Sequence, residues 1–76
     1  MTAIVYRQLP NRPRQWLRRQ ATPELPLWCD DRNDAQRMSE RQATTTAAYL
    51  LKRSIGQRGH PASQPAGEYG TEAWTA

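Results

Sequence analysis

Arg7, Arg12, Arg14, Arg18 and Arg19 fall within the first nineteen positions with no acidic residue among them, and Trp16 lies in their midst. A guanidinium keeps its charge, offers a planar fork of donors to phosphate or carboxylate, and stacks on aromatic faces. The chemistry this spacing supports is therefore recognition of an anionic surface. Lys52, Arg53 and Arg58 form a second basic block. Ten of the eleven basic residues are arginine. GC-rich coding alone can produce that ratio, but it does not produce the clustering.

Bond-making chemistry finds little support. Cys29 precedes Asp30 and Asp31, and adjacent negative charge raises a thiol pKa, so burial is its expected role. His60 sits between Gly59 and Pro61, where no regular element would orient a general base. The sequence has no phosphate-cradling glycine loop and no paired catalytic carboxylates. One cysteine and one histidine cannot assemble a four-ligand zinc site. We expect no enzyme, no metal or other cofactor, and no small-molecule substrate.

A chain of 76 residues allows one small domain, burying about 60% of its unfolded surface. A lone cysteine closes no intrachain disulfide, which points to a reducing, cytoplasmic setting. No run approaches the roughly 20 apolar residues of a spanning helix, and the N-terminus does not read as a signal peptide. No membrane partner is expected.

The elements that must position the basic residues read as follows. Thr2 to Leu9 is rich in β-branched and aromatic residues and predicts a strand, with Ile4 and Tyr6 on one face and Ala3, Val5 and Arg7 on the other. Pro10 and Pro13 interrupt it. Arg14 to Gln20 fits a strand or a short helix. The turn-like Ala21 to Glu24 and the alternating Leu25 to Cys29 favour a hairpin over residues 14 to 29, with Pro26 confining its second strand to an edge. Asp30, Asp31, Asn33 and Asp34 supply helix-start residues, and apolar positions at three- and four-residue steps predict one dominant helix from about 33 to 55, stopped by Gly56. Ser39 and Gln42 match a capping box, which allows two helices meeting near Ser39 instead.

From Gln57 to Ala76 glycine, proline, serine and alanine prevail, predicting a flexible tail in which Tyr69 and Trp74 are inert or form a short anchoring motif. The expected architecture is thus α+β: a small domain over residues 1–56, with short N-terminal strands or a hairpin packed on one main helix, and a disordered tail over 57–76. The expected core is Ile4, Tyr6, Leu17, Leu25, Leu27, Met38, Ala47, Leu50, Leu51 and Ile55.

Charge decides between partners. The arginine arm is followed by a segment from Gln20 to Glu40 with two arginines against five acids, then by four bases and no acid over residues 41 to 58, then by Glu68 and Glu72. In a nucleic-acid reading, the arm neutralises phosphates, Trp16 stacks on a base, and Lys52, Arg53 and Arg58 extend the track. The acidic middle would repel a phosphate backbone, and no helix-turn-helix, zinc-finger or RNA-binding signature is present. In a protein-partner reading, Arg7, Arg12, Arg14, Trp16, Arg18 and Arg19 are interface anchors, and the helix with Lys52, Arg53 and Arg58 is a second surface. That reading is preferred: a non-enzymatic regulator occupying a site on a larger protein, with transcription machinery the target class. In general character, with no motif to carry it, the chain resembles small phage-encoded regulators that bind host RNA polymerase. Direct nucleic-acid binding is the alternative, and a structural or oligomerisation subunit the third.

Overall fold

The computed structural model describes residues 2–21, 26–56, 62 and 64–75. Its centre is β1 (Thr2–Gln8), which is paired on both edges. Along one edge runs β5 (Glu68–Ala73), antiparallel, in six pairs from Ala3 opposite Ala73 to Gln8 opposite Glu68. The other edge is shared. β4 (Met38–Ser39) meets its start at Thr2 and Ala3, and β2 (Gln15–Leu17) meets its end at Tyr6 and Arg7. The short β3 (Trp28–Cys29) then pairs with β2, Trp16 opposite Cys29 and Leu17 opposite Trp28. The α+β expectation holds, as do the first strand and the hairpin.

The turn after β1 follows from its residues. Pro10 and Asn11 occupy the two central positions, Asn11 has φ 61°, and Arg12 N–H donates to the Leu9 carbonyl at 3.3 Å. Proline followed by a residue that tolerates positive φ is the pattern of a type II turn. It returns the chain at Arg14 alongside β1.

The dominant helix is shorter than expected, and this corrects the 33–55 reading. Asp31 caps only a 3-10 turn (Arg32–Asp34), its carboxylate accepting the Asn33 amide at 2.9 Å, and Ala35 is already extended at ψ 144°. The backbone that follows pairs with the end of β2 and its continuation: Gln36 N–H donates to the Leu17 carbonyl at 2.8 Å, Arg19 N–H donates to the Asp34 carbonyl at 3.1 Å, and Arg18 bridges Ala35. The helix α1 (Glu40–Ile55) starts where Ser39 Oγ accepts the Gln42 amide at 3.1 Å. The S-x-x-Q pattern thus marks its N-cap. Gly56, at φ 77°, closes it.

α1 lies across β1 and β5. It buries Ala43, Ala47, Leu50 and Ser54, and the first three close on Ala3, Val5, Leu17 and Tyr69, with Ala21, Trp28 and Met38 at the margin. The small residues Ala3, Ala43 and Ala47 let helix and sheet approach closely. The helix-facing side of β1 is therefore the Ala3, Val5 and Arg7 face, opposite to the expected one. Ile4 alternates onto the other side and is fully buried there as well.

Of the expected core, Ile4, Leu17, Ala47 and Leu50 are buried, and Met38 is partly so. Tyr6 is half-buried and Leu27, Leu51 and Ile55 are exposed; Leu25 lies outside the described residues. The exposed three are corrections: the helix buries a narrow stripe against a thin sheet, and Leu51 and Ile55 fall one position off it.

The flexible-tail expectation is corrected at Glu68–Ala73. That segment is β5, and it supplies Tyr69 to the core, so the domain does not end at residue 56. Its ladder continues with Trp74 N–H donating to the Thr2 carbonyl at 2.9 Å. The Tyr6 ring lies against Gly70, its cross-strand partner. A Cβ there would come within 2.8 Å of the Tyr6 hydroxyl and 2.9 Å of its ring. Aromatic cover of a strand glycine replaces the packing that the missing side chain would provide. Residues 57–61, 63 and 76 of the expected tail lie outside the described residues.

Candidate functional site

The arginine arm does not form a single track. Alternation along β1 sends Arg7 to the helix side, where its guanidinium carbon stands 4.5 Å from the Trp28 ring centroid and Nε donates to Gln15 Oε1 at 2.9 Å. Trp28 in turn meets Tyr69 edge-on at 6.0 Å. Burial lowers the Arg7 pKa and raises that of Tyr69, and the pair opposes both shifts, the phenol favouring the guanidinium's charge and the guanidinium favouring the phenolate.

Arg14 and Trp16 lie on the opposite side of the sheet and converge on one carboxylate. Trp16 Nε1 donates to Glu72 Oε1 at 2.7 Å, Arg14 Nη1 is 3.4 Å from the same oxygen, and Arg32 Nε is 3.8 Å from Oε2. Arg14 also covers the Tyr6 ring at 4.0 Å, and Tyr6 donates to Glu68 Oε1 at 2.7 Å. That hydrogen bond, then burial, raises the Tyr6 pKa. Further along, Trp74 carries two guanidiniums, Arg37 at 4.2 Å and Arg32 at 5.0 Å, and Arg32 Nη2 donates to the Ala73 carbonyl at 2.8 Å. Each exposed pair is worth little, about 0.5–1 kcal/mol. Together they fasten β5 to the sheet on the face that carries Ile4, the cross-strand neighbour of Glu72.

The remaining arm residues are exposed, and Arg19 Nη2 donates to the Asn33 carbonyl at 3.5 Å. Arg12 is exposed in the turn, its carbonyl accepting Gln8 Nε2. Arg18 and Arg19 are exposed beside a cleft of about 320 Å³ lined with Gln20, Leu27 and Asp34. Leu27 is 50% exposed there, so the cleft pairs two guanidiniums with an apolar wall. Gln20 holds φ 68° at its rim, its amide donating to Gln36 Oε1 at 3.1 Å. Lys52 and Arg53 occupy the exposed last turn of α1, with Arg53 5.7 Å from the Tyr49 ring centroid. Arg58 lies outside the described residues.

Sequence reasoning did not single out Arg32, Arg37 or Glu72, assigned Leu27 to the core, and left Trp74 as an inert or anchoring residue of a tail. Glu72 and Trp74 sat in a segment whose composition suggested a tail, and only the ladder with β1 brings them to the arm. Cys29 is half-buried, with its thiol 3.3 Å from the Trp16 and Asp31 carbonyls. Burial first, then Asp34, raises its pKa, the direction expected of a poor nucleophile. Among the described residues no group of three or more potential metal ligands gathers, and no helix is long and apolar enough to cross a membrane. Comparison with known proteins gives no matching family model, no matching curated protein and no matching solved structure.

Proposed function

We propose that this chain is a small, non-enzymatic regulator that binds a larger protein of the transcription machinery, with RNA polymerase as the target class, through Arg12, Arg18 and Arg19 and the basic end of α1. One observation carries the protein-partner part: Arg18 and Arg19 flank a cleft whose wall includes the half-exposed Leu27. With two guanidiniums against the single carboxylate of Asp34 and the apolar Leu27, the lining is net positive and suits an acidic protein segment with an apolar anchor, since the anchor gains burial while the guanidiniums take carboxylates. The target class follows from charge: enzymes that handle nucleic acid expose acidic docking surfaces that a basic chain can occupy.

The same geometry disfavours direct nucleic-acid binding as the main activity. Arg7 and Arg14 stand on opposite sheet faces, Trp16 is held by Glu72, and Tyr6 and Trp74 already carry guanidiniums. Stacking a base on these rings would cost the contacts that fasten β5. Glu68 and Glu72 lie on that face too and repel phosphate.

A pull-down on the immobilised protein from nuclease-treated lysate tests the proposal. Recovery of one dominant large complex containing RNA polymerase subunits, lost on changing Arg18 and Arg19 to Glu, is expected. Recovery of nucleic acid alone, in an untreated lysate, overturns it in favour of the direct binder.

A further inference from the structure

α1 has a second apolar stripe beside the buried one. Ala43, Ala47, Leu50 and Ser54 face the sheet. Thr44, Ala48, Leu51 and Ile55, each one residue later, recur at four- and three-residue steps and are exposed, so they align on one side of the helix about 100° away. Ile55 is 75% exposed, the most of any large apolar residue among those described, and Leu51 is 38% exposed. Single exposed apolar side chains are ordinary, but an aligned row of them marks an interaction face.

Two further features describe what that face would take. The hydroxyls of Thr44 and Thr45 donate to the Glu40 and Arg41 carbonyls at 2.9 and 3.0 Å, so this turn asks little hydrogen bonding of water and can be covered cheaply. On the outer flank of the stripe stand Arg41 and Lys52, eleven residues and hence three turns apart on the same side, both exposed. The surface is an apolar row with a cationic rail.

We infer that this face docks an acidic amphipathic helix of a partner protein, with apolar residues at i, i+3 or i+4, and i+7 seated on Ala48, Leu51 and Ile55 and carboxylates set against Arg41 and Lys52. The inference rests on the reading of α1 as a second contact with a protein partner, and it adds the partner's chemistry. Charge selects this occupant over a second copy. A symmetric pairing would bring Arg41 and Lys52 of both copies into one interface of a chain with net charge +4, against one Glu40 each. Nucleic acid would leave the apolar row uncovered, because phosphate contacts reach only its rail.

The test uses the full chain and two synthetic amphipathic peptides with the same leucine pattern, one with glutamates on its polar face and one with lysines, and does not need the natural partner. In a nitrogen-edited NMR titration the glutamate peptide is expected to shift the amides of Arg41 to Ile55 saturably and to bind at least tenfold more tightly than the lysine peptide. Ile55→Glu, at an exposed position that leaves the fold intact by circular dichroism, is expected to weaken it at least tenfold. Lys52→Glu is expected to weaken it severalfold and to lessen its salt dependence. Arg18→Glu with Arg19→Glu leaves this titration unchanged while abolishing the pull-down, so the two proposals fail separately. Equal affinity for both peptides, shifts that map elsewhere, absence of binding at millimolar peptide, or self-association through the stripe would each overturn the inference.

Discussion

The indole N–H of Trp16 donates to the carboxylate of Glu72 at 2.7 Å across 56 residues of sequence. This bond ties the arginine arm to the last strand, and Arg14 and Arg32 close on the same carboxylate. A hydrogen bond to a charged acceptor contributes about 1.5–3 kcal/mol, and partial exposure of Glu72 places it at the lower end.

Trp16→Phe and Glu72→Gln are each expected to destabilise the fold by about 1–2 kcal/mol. A double-mutant cycle by urea denaturation should give a coupling of at least about 0.5 kcal/mol. Strict additivity would show that the contact carries no stability.

Ending the chain after Gly67 removes β5, its six pairs with β1 and the buried Tyr69. The expected result is loss of cooperative thermal unfolding and of the near-ultraviolet signal from Trp28, which Tyr69 contacts. A truncated chain that unfolds as sharply as the full one would contradict the role assigned to this strand.

Gly70→Ala places a Cβ about 2.8 Å from the Tyr6 hydroxyl. Overpacking of this kind costs about 1–3 kcal/mol. Combining it with Tyr6→Ser, which removes the ring, should cost less than the sum of the two changes; denaturant midpoints decide this.

Stability should fall as the medium becomes alkaline. The Tyr6 pKa is raised by its hydrogen bond to Glu68 and by burial, and that of Tyr69 by burial, both from a reference of 10.0. The folded state therefore holds these phenolic protons more tightly than the unfolded chain. Their contribution is complete below pH 10 and is lost as pH rises through the folded values. Cys29, raised from 9.0, adds a loss that begins lower. Denaturation midpoints measured from pH 8 to 11 should decline, and Tyr6→Phe should flatten the decline; an unchanged slope in that variant would show that Tyr6 makes no such contribution.

Local chemistry made several elements legible without coordinates. The proline-bounded, β-branched run at Thr2 to Leu9 became β1, Trp28 and Cys29 at the end of the second alternating run became one side of a hairpin, and the Ser39 and Gln42 pair marked the N-cap of α1. Each depends on residues within a few positions of one another, where propensity and capping act. The arginine arm was legible as a charge cluster for the same reason.

Tertiary structure decided the rest. Glu68–Ala73 has little strand propensity of its own and becomes β5 because β1 offers it an unpaired edge along almost its whole length. β1 turns its Ala3 and Val5 face toward α1, so Val5 rather than Tyr6 entered the core beneath the helix, while Ile4 is buried on the other side. The arm is divided by partners remote in sequence: Glu72, more than fifty residues downstream, holds Arg14 and Trp16 on one sheet face, Trp28 and Gln15 hold Arg7 on the other, and Arg12, Arg18 and Arg19 stay exposed, Arg19 reaching only the Asn33 carbonyl. Composition fixed how much positive charge the chain carries, and the pairing of β5 with β1 decided which guanidiniums of that sheet face are held within the fold.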